Sequence, residues 1–433
     1  MEIDKAFYDK FLESTGVSTD TRTLKRGELF FALSGPNFDG NKFAPQALEA
    51  GASYAVVDDP TIATSEQYVL VENTLEALQS LARHHRRTFD IPFIGITGSN
   101  GKTTCKELTY HVLRTRYRVH ATFGNLNNHI GVPLTLLRMP FDTQIAIIEM
   151  GANKVGDIAE LCAIAEPSHG FITNIGKAHL EGFGGIEGVI RGKSELYHWL
   201  IQHNGIAFIN MQDHILSNMA KRFASDKVFG YAGPEDFLTL EFLKADPFVH
   251  FRGSEGNIYS SHLAGPFHFS NLAVAITVGK FFDVPIPEAE QAAADYVPVN
   301  NRSQLVYRGN TTILLDAYNA NPNSMEAALA NLKSMPAERK VVILGDMLEL
   351  GEASQPEHLR LKSLIEAVGP EKVFLVGKQI APLADAMPQA QLFGHRDELK
   401  SYLEANPLGE VTVLIKGSRG IGLEKVLDAF PMD

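Results

Sequence analysis

One stretch of the sequence, IGITGSNGKTT at residues 94–104, most limits what the chain can fold into. An apolar strand, a glycine-rich loop and a helix in this order form a phosphate-binding loop, because backbone N–H groups at the helix start point toward an anion. The general pattern has its first glycine at position 96, where Ile96 stands, although its closing GKT is present. The strand–loop–helix context therefore predicts a nucleotide site in which Gly98 and Gly101 make the turn.

The polar residues of this loop each receive an expected role. Lys102 is expected to pair with the β- and γ-phosphates, and the hydroxyl of Thr103 or Thr104 is expected to hold Mg²⁺. By itself the loop indicates a nucleoside triphosphate and magnesium. The loop residues expected to bind the nucleotide are Gly98, Ser99, Asn100, Gly101, Lys102, Thr103 and Thr104.

Strand-like and helix-like segments alternate on both sides of the loop, which predicts parallel sheets with crossover helices. A chain of 433 residues suggests about three domains at roughly 150 residues per domain. The segments TFDIP at 88–92 and VPVNNR at 297–302 are linker candidates. We therefore predict α/β domains at 1–88, 89–299 and 300–433, the last of them doubly wound in character.

The composition argues against several classes of function. A net charge of -12 argues against nucleic acid or an anionic membrane as the main partner. The two cysteines, Cys105 and Cys162, make no disulfide framework, which favours a reducing compartment. The first residues lack the apolar core of a signal peptide, and no apolar run approaches the roughly 20 residues that span a bilayer. We therefore expect a soluble cytoplasmic protein with no nucleic-acid partner and no membrane insertion.

The loop TGSNGKTT resembles the version found in the Mur ligase family, which also lacks the first glycine. Further motifs resemble this family in order along almost the whole chain. The resemblance implies a small α/β UDP-binding domain, a central P-loop ATPase-like domain with a parallel sheet, and a C-terminal Rossmann-like α/β domain. The matching motifs are STDTRTLKRGELFFAL (18–33), GPNFDGNKF (35–43), GNLNNHIGVPLTLL (124–137), IIEMGAN (147–153), ITNIGKAHLEGFG (172–184), LLDAYNANPNSM (314–325), LGDMLELG (344–351) and KGSRG (416–420).

Within the family, the motifs are most similar to those of the ligase that adds the last amino acids of the peptidoglycan precursor. The resemblance implies that ATP phosphorylates the terminal carboxylate of UDP-N-acetylmuramoyl-tripeptide and that the amine of D-Ala-D-Ala attacks the acyl phosphate. The products would be the UDP-muramoyl-pentapeptide, ADP and phosphate, and the family precedent implies a monomer. Such chemistry needs magnesium and cations, because an anionic phosphate and a carboxylate must approach each other.

The resemblance also implies catalytic roles for Lys102, Glu149, His179 and Lys193. Glu149 ends a strand, at the edge where α/β sheets bind ligands, and matches a magnesium ligand. His179 matches a histidine near a second magnesium, and Lys193 matches a lysine that carries a carboxyl group (N6-carboxylated, or carbamylated). The expected ligands of two Mg²⁺ ions are Thr103, Thr104, Glu149, His179 and Lys193.

Nucleotide contacts outside the loop are expected from the resemblance as well. Phe267 stands where the family has a histidine, and His268 comes one residue late, so the aromatic contact with adenine is open at this point. Arg302 is expected to reach the ATP phosphates when the domains close, and Asp316 is expected to bind the ribose hydroxyls. The full set of expected contacts is Asn271, Arg302, Asp316, Tyr318 and Asn319.

Four groups of polar residues are expected to bind the substrates. Two loops of the first domain and one loop of the central domain are assigned to UDP-muramoyl-tripeptide. The motif KGSRG follows the last strand and is assigned to the D-Ala-D-Ala carboxylate or the tripeptide tail. The expected substrate residues are Thr19, Asp20, Thr21, Arg22, Asn37, Asp39, Asn125, Asn127, Asn128, Lys416, Ser418 and Arg419.

Two other functions are compatible with the phosphate loop. The nearest is a ligase that adds a different residue, either another Mur-type amino-acid ligase or an enzyme like folylpolyglutamate synthase. A more distant one is a nucleotide-dependent switch without ligation. A switch needs neither a second metal nor a carboxylated lysine, so Glu149, His179 and Lys193 favour the ligase.

Overall fold

The computed structural model describes residues 3–233, 235–299 and 301–431. The chain forms three α/β parts, each built on its own largely parallel sheet, which confirms the predicted fold class. The boundaries at 88/89 and 299/300 stay predictions, and Asn300 of the second linker candidate lies outside the described residues.

The first part carries a four-stranded parallel sheet in the order β1-β2-β3-β4. All three residues of β2 are buried, which fits an apolar run covered on both faces. Helix α3 begins where the Asn73 side chain accepts a hydrogen bond from the Glu76 N–H. The elements are α1 Lys5–Glu13, β1 Val17–Ser18, β2 Leu29–Phe31, α2 Ala44–Glu49, β3 Tyr54–Val57, β4 Tyr68–Leu70 and α3 Thr74–Arg86.

The central part carries a six-stranded parallel sheet in the order β10-β9-β8-β5-β7-β6. Its elements are β5 Phe93–Thr97, α4 Lys102–Leu113, β6 Val119–Ala121, α5 Gly131–Leu137, β7 Ile145–Glu149, α6 Asp157–Ala165, β8 His169–Ile172, α7 Leu180–Phe183, α8 Ile186–Gln202, β9 Ile206–Asn210, α9 His214–Ala220, β10 Val228–Tyr231, α10 His268–Phe281 and α11 Ile286–Ala294.

The strand β5 lies between β7 and β8. The strands β6 and β7 lie on one side of it and β8 to β10 on the other, so the strand order reverses at β5. Such a switch point opens a crevice at the carboxyl ends of the strands, where ligands bind. Both faces of this sheet are covered. Along β7, Ile147 packs into the cluster that contains α4 and α10, whereas Ile148 packs into the cluster that contains α6 and α8. This period of two assigns the side chains of β7 to opposite faces, and Glu149 lies at the carboxyl edge because it is the last residue of the strand.

An antiparallel sheet of three strands interrupts the central part, and the alternation of strands and helices in the sequence did not predict it. Its strands are β11 Glu241–Ala245, β12 Phe248–Arg252 and β13 Ile258–Ala264. Burial alternates along β13, as expected for a sheet with one face in water. Val249 and Phe251 pack against Leu272 of α10, so the insertion extends the core behind the phosphate loop.

The last part carries a six-stranded sheet in the order β14-β15-β19-β16-β17-β18, in which only the β14–β15 pair is antiparallel. The final strand β19 is inserted between β15 and β16, so the ends of the first and last long strands lie side by side. The elements are β14 Gln304–Arg308, β15 Thr311–Asp316, α12 Pro322–Ser334, β16 Lys340–Gly345, α13 Ser354–Val368, β17 Lys372–Val376, α14 Ala381–Ala386, β18 Ala390–Phe393, α15 Arg396–Ala405 and β19 Val411–Lys416.

Across the residues that are described, none of the helices combines the length and the apolar character needed to cross a membrane.

Candidate active site

A cavity of about 710 Å³ opens at the carboxyl edge of the central sheet, between the central part and the C-terminal part. It brings together residues that the sequence analysis assigned separately to catalysis, nucleotide and substrate. The predicted residues that line it are Ser99, Asn100, Gly101, Lys102, Thr103, Thr104, Asn125, Asn127, Asn128, Glu149, His179, Asn271, Arg302, Asp316, Tyr318, Asn319, Lys416 and Arg419.

The turn of the phosphate loop is made by its two inner glycines. Gly98 has φ +144° and Gly101 has φ +80°, conformations that side chains disfavour. A Cβ atom on Gly98 would lie 1.9 Å from Oγ1 of Thr173, so Gly98 sits behind the loop and does not line the cavity. Ile96 is a fully buried residue of β5, paired with β7 and β8. Position 96 therefore belongs to the strand, which is why no glycine is needed there.

The Lys102 ammonium is hydrogen-bonded to backbone carbonyls of its own loop. Its Nζ donates to the Gly98 carbonyl at 2.7 Å and to the Ser99 carbonyl at 3.5 Å. Burial lowers the pKa of Lys102, the nearby Glu149 carboxylate acts in the opposite sense, and the Arg302 charge lowers it further. The two cations, Lys102 and Arg302, thus share one region of the cavity.

The Glu149 carboxylate has one oxygen occupied and one oxygen free. Its Oε1 accepts hydrogen bonds from Oγ1 of Thr103 at 3.2 Å and from Nδ2 of Asn127 at 2.8 Å. Its Oε2 is buried and has no hydrogen-bond partner among the described residues. A buried carboxylate oxygen without a partner is costly, and a bound ligand would offset that cost. Between the two candidate threonines, the geometry favours Thr103 as the hydroxyl beside Glu149.

His179 begins the short helix α7 and has φ +51°. Its Nδ1 lies 2.5 Å from Oε2 of Glu349, a residue of the C-terminal part. The hydrogen bond from His179 is the main cause that lowers the pKa of Glu349. The contact leaves Nε2 as the ring nitrogen available to a ligand.

Lys193 lies beneath the cavity rather than on its wall. Its side chain is buried in α8, where Nζ donates to the Ala152 carbonyl at 3.4 Å and lies 5.3 Å from the centroid of the Phe183 ring. Burial lowers the pKa of Lys193 well below its usual value, and the charge of Lys102 contributes in the same direction. Within the described chain no acidic side chain forms a salt bridge with Lys193.

Both aromatic candidates for the predicted adenine contact, Phe267 and His268, line the cavity. Phe267 is 38% exposed, whereas His268 is buried and its Nδ1 lies 3.0 Å from Nδ2 of Asn271. Burial lowers the pKa of His268 to about 4, so the ring is neutral at pH 7. The exposed ring of Phe267 is therefore the face open to a base, and His268 orients Asn271.

One predicted substrate residue has a different partner in the structure. Nζ of Lys416 lies 2.5 Å from Oδ2 of Asp316 and also donates to the Asn319 carbonyl at 3.1 Å. Lys416 is buried, and the pairing of β15 with β19 places it directly beside Asp316. The expectation that Lys416 binds a substrate carboxylate stays a prediction, and in this structure its charge is paired with Asp316.

Ser418, also predicted to bind a substrate, has structural partners in the same region, and its predicted role stays a prediction. It is buried, its Oγ accepts a hydrogen bond from the Leu348 N–H at 2.9 Å, and its own N–H donates to the Asp346 carbonyl at 3.0 Å. These contacts fasten the loop after β19 to the loop after β16. Ser418 does not line the cavity.

The substrate residues predicted in the first part lie away from the cavity. Asp20 and Arg22 form an ion pair of 2.6 Å on the surface, and the hydrogen bond from Arg22 lowers the pKa of Asp20 to about 2. Asp39 caps a 3₁₀ turn by accepting a hydrogen bond from the Asn41 N–H at 3.1 Å. None of these residues lines the cavity: Thr19, Asp20, Thr21, Arg22, Asn37 and Asp39.

Several cavity residues were not predicted from the sequence, and some of them join the two parts. Asn321 donates from Nδ2 to Oδ1 of Asn100 at 2.7 Å, and Oδ1 of Asn323 accepts from the Lys177 N–H at 2.7 Å. Glu349 contacts His179 as described above. The signal was present, because all of them lie inside quoted motifs, but no local pattern shows which residues meet across parts. The residues missed in this way include Asn174, within the central part, and Asn323 and Glu349, which reach across to it.

The donor set fits magnesium held jointly by protein and phosphate. Glu149 offers a free carboxylate oxygen beside the Thr103 hydroxyl, and oxygen ligands are those that Mg²⁺ prefers. No group of three or more His, Cys, Asp or Glu side chains able to hold a metal is found in the part of the chain that the structure describes. Mg²⁺ in nucleotide sites is commonly bound by one or two carboxylates plus phosphates and water, so the set is adequate.

Comparison with known proteins identifies the family. The family profiles that match are "Mur ligase family, catalytic domain" at residues 13–86, "Mur ligase middle domain" at 96–279 and "Mur ligase, glutamate ligase domain" at 301–419. The UDP-N-acetylmuramoyl-tripeptide–D-alanyl-D-alanine ligase of Bacillus subtilis (strain 168) is 35% identical over 95% of this chain and 92% of its own length. The enzyme of the same name from Escherichia coli (strain K12) is 33% identical over 95% and 93%.

Solved structures agree with the sequence comparison. MurF from Acinetobacter baumannii superposes with a TM-score of 0.84 at 28% identity, over 95% of this chain and 92% of the other. MurF ligase from Thermotoga maritima in complex with ADP gives a TM-score of 0.83 at 27% identity, over 97% of each chain. A folylpolyglutamate synthase from Mycobacterium tuberculosis, at 16% identity and a TM-score of 0.62, shares the fold alone. The chain belongs to the Mur ligase family.

Proposed function

We propose that the chain is an ATP-dependent ligase that joins D-Ala-D-Ala to UDP-N-acetylmuramoyl-tripeptide and forms the UDP-muramoyl-pentapeptide. The relatives that match over nearly their whole length carry the name of this activity. The single observation that carries the proposal is the free Oε2 of Glu149, next to a phosphate loop and facing residues of the C-terminal part. A nucleotide switch needs no carboxylate in a cavity that is shared by two parts of the chain.

The first chemical step is the transfer of the γ-phosphoryl group to the tripeptide carboxylate. The backbone N–H groups of the loop and the start of α4 hold the phosphates, and Lys102 and Arg302 offset the repulsion between phosphate and carboxylate. The carboxylate oxygen forms the new bond to phosphorus as the bond to ADP breaks. The resulting acyl phosphate has a good leaving group that the free carboxylate lacks.

The second step is the attack of the dipeptide amine on the acyl phosphate. The nitrogen forms a bond to the carbonyl carbon, the tetrahedral intermediate expels phosphate, and the amine loses its proton. Asn127 and the cations around the cavity are the groups that can hold the developing oxyanion. When bound, magnesium supplies charge neutralisation at the phosphates, and Glu149, Thr103 and the nucleotide would hold it.

Lys193 fits the proposed N6-carboxylation. Its burial and lowered pKa favour the neutral amine, which is the form that attacks CO₂. The nitrogen bonds to the carbon of CO₂ and releases a proton, which leaves an anionic carbamate. Because the Lys193 amine lies beside Ala152, which lines the cavity, that anion could supply oxygen ligands to a second metal there. Imidazole is a weak choice for Mg²⁺, so the second site would depend on this carbamate more than on His179.

The assignments that the comparisons leave open are retained as part of the proposal. The loops with Asp20 and Asp39 are assigned to the UDP end of the long substrate, which would reach from the first part to the cavity. Since ATP and a UDP-linked precursor are the substrates, we also propose that the reaction is cytoplasmic. The monomeric state stays a prediction.

Phosphate release tests the proposed function. Wild-type protein is expected to release phosphate from ATP only when both UDP-muramoyl-tripeptide and D-Ala-D-Ala are present, and ATP hydrolysis at the same rate without them would refute the ligase. Glu149→Gln is expected to lower kcat by about 10²–10³-fold, the range for one lost electrostatic contact in an active site. Glu366→Gln, a surface change in the C-terminal part, is the matched control and should retain full activity.

A further inference from the structure

Tyr318, in the loop after β15, lies between two arginines. The guanidinium carbon of Arg302 lies 3.6 Å from the centroid of the Tyr318 ring, and that of Arg419 lies 5.3 Å from it. Nη1 of Arg419 donates a hydrogen bond to the Tyr318 hydroxyl at 3.3 Å. Aromatic faces attract cations at such distances. One side chain thus gathers two cations that stand 117 positions apart in the sequence.

Neither arginine is neutralised by the protein. Among the described residues, Arg302 and Arg419 form no salt bridge with an acidic side chain, and Nε of Arg302 is buried without a hydrogen-bond partner. The contrast with Lys416 in the same region is informative, because its ammonium is paired with Asp316. Two guanidinium groups that are held together without a counter-ion form a site suited to an oxyanion, which guanidinium binds through parallel N–H groups.

The placement of the pair limits which oxyanion it can meet. Both arginines line the same cavity as the phosphate loop. Arg302 is near enough to Lys102 for its charge to lower the pKa of that lysine. Arg419 is exposed, and the Tyr318 hydroxyl is its hydrogen-bond partner. Arg302 therefore stands at the phosphate end, and Arg419 is free to meet an anion that enters from solvent.

We propose that Tyr318 is a positioning residue that presents Arg302 and Arg419 as one oxyanion-binding surface, through its ring for Arg302 and through its hydroxyl for Arg419. The anion is a phosphoryl group or a carboxylate, the chemistry shared by ATP and both peptide substrates. The ring face stacked on Arg302 is unavailable to adenine, so Tyr318 acts on the nucleotide through Arg302. This inference rests on the proposed function for the source of the carboxylate, but not for the phosphoryl group.

The first test removes the ring. Tyr318→Leu is expected to weaken binding of a non-hydrolysable ATP analogue by about 5- to 30-fold, which corresponds to the loss of a desolvated cation–π contact. Binding of ADP should weaken less, because it lacks the γ-phosphoryl group. Calorimetry measures both affinities without any ligation, so the result is independent of the proposed activity.

The second test removes only the hydroxyl. Tyr318→Phe keeps the ring under Arg302, so affinity for the ATP analogue should stay within about 2-fold. The loss of one hydrogen bond should raise the KM of a carboxylate substrate by about 2- to 10-fold. A rise confined to D-Ala-D-Ala identifies the dipeptide as the source, and a rise confined to the UDP-muramoyl-tripeptide identifies the tripeptide.

A matched control separates positioning from folding. Tyr307→Leu changes an exposed tyrosine of β14 in the same part and should alter neither affinity nor KM. The proposal is overturned if Tyr318→Leu binds the ATP analogue as the wild type does, or if Tyr318→Phe changes no KM. A uniform loss of all affinities with a lowered melting temperature would also overturn it, since that is the signature of a structural role. If Tyr318→Leu does not fold, Tyr318→Phe alone decides.

Discussion

Lys416→Met breaks the ion pair that joins the ends of β15 and β19. Lys416 is 1% exposed and the Asp316 side chain 16% exposed, so the substitution leaves a carboxylate with little water around it. Removing one partner of a buried pair typically costs about 3–5 kcal/mol. The partial exposure of Asp316 puts our expectation at the low end, about 3 kcal/mol. Asp316, predicted to bind the ribose, would also lose the contact that fixes its orientation.

The assay is urea unfolding, monitored by hydrogen exchange of the backbone amides of β15 and β19. This readout measures the stability of this sheet rather than that of the whole chain. The double variant Asp316→Asn/Lys416→Met should recover part of the loss, because no uncompensated charge remains buried. Lys362→Met, which removes a surface ion pair of the same part, is the control and should stay within about 0.5 kcal/mol of the wild type.

Two results would refute this reasoning. A loss below about 1 kcal/mol in Lys416→Met would mean that the pair is not the buried charge contact described above. A raised KM for D-Ala-D-Ala with unchanged stability would instead support the prediction that Lys416 binds a substrate carboxylate. The stability measurement and the KM therefore distinguish a residue that builds the site from one that binds the substrate.

Three further predictions concern Gly98 in the loop, His85 in the core and the proposed carboxylation of Lys193. Gly98→Ala should weaken binding of an ATP analogue at least about 10-fold, because the added Cβ would lie 1.9 Å from Oγ1 of Thr173. Gly394→Ala, where the added Cβ has room, is the control and should bind the analogue normally. Equal affinities of the two variants would contradict the loop geometry. Burial lowers the pKa of His85 to about 4, so between about pH 6.5 and pH 4 the unfolded state binds a proton that the folded state does not. The free energy of unfolding should therefore fall by up to about 3 kcal/mol as the pH drops through this range. Urea unfolding at several pH values should therefore show that the free energy of unfolding of His85→Gln depends less steeply on pH than that of the wild type. An equal dependence on pH in both proteins would contradict the lowered pKa of His85. Lys193→Met should abolish the carbamate signal in ¹³C NMR spectra recorded with labelled bicarbonate and should lower kcat; a wild type without that signal would exclude the carboxylation.

The features that sequence predicted well depend on neighbours a few positions apart. The apolar run of β5, the glycines of the loop and the helix start at Lys102 are local, so the phosphate loop was recognisable despite Ile96. The order of the motifs along the chain, and not any one of them, indicated the family and the three α/β parts. The antiparallel strands β11–β13 were missed, because half-buried strands with mixed composition carry a weak periodic signal.

Tertiary structure alone decided which of the predicted residues meet. Lys416 and Asp316 are 100 positions apart, and they pair only because β19 is inserted next to β15. His179 and Glu349 meet because the C-terminal part docks on the central sheet, and the same docking brings Arg302 toward Lys102. Residue types and short spacings thus determined that this chain binds a phosphate and what kind of chemistry it carries. Strand order and domain docking determined the partners of each charge, because electrostatic pairing depends on distance in space and not on distance along the chain.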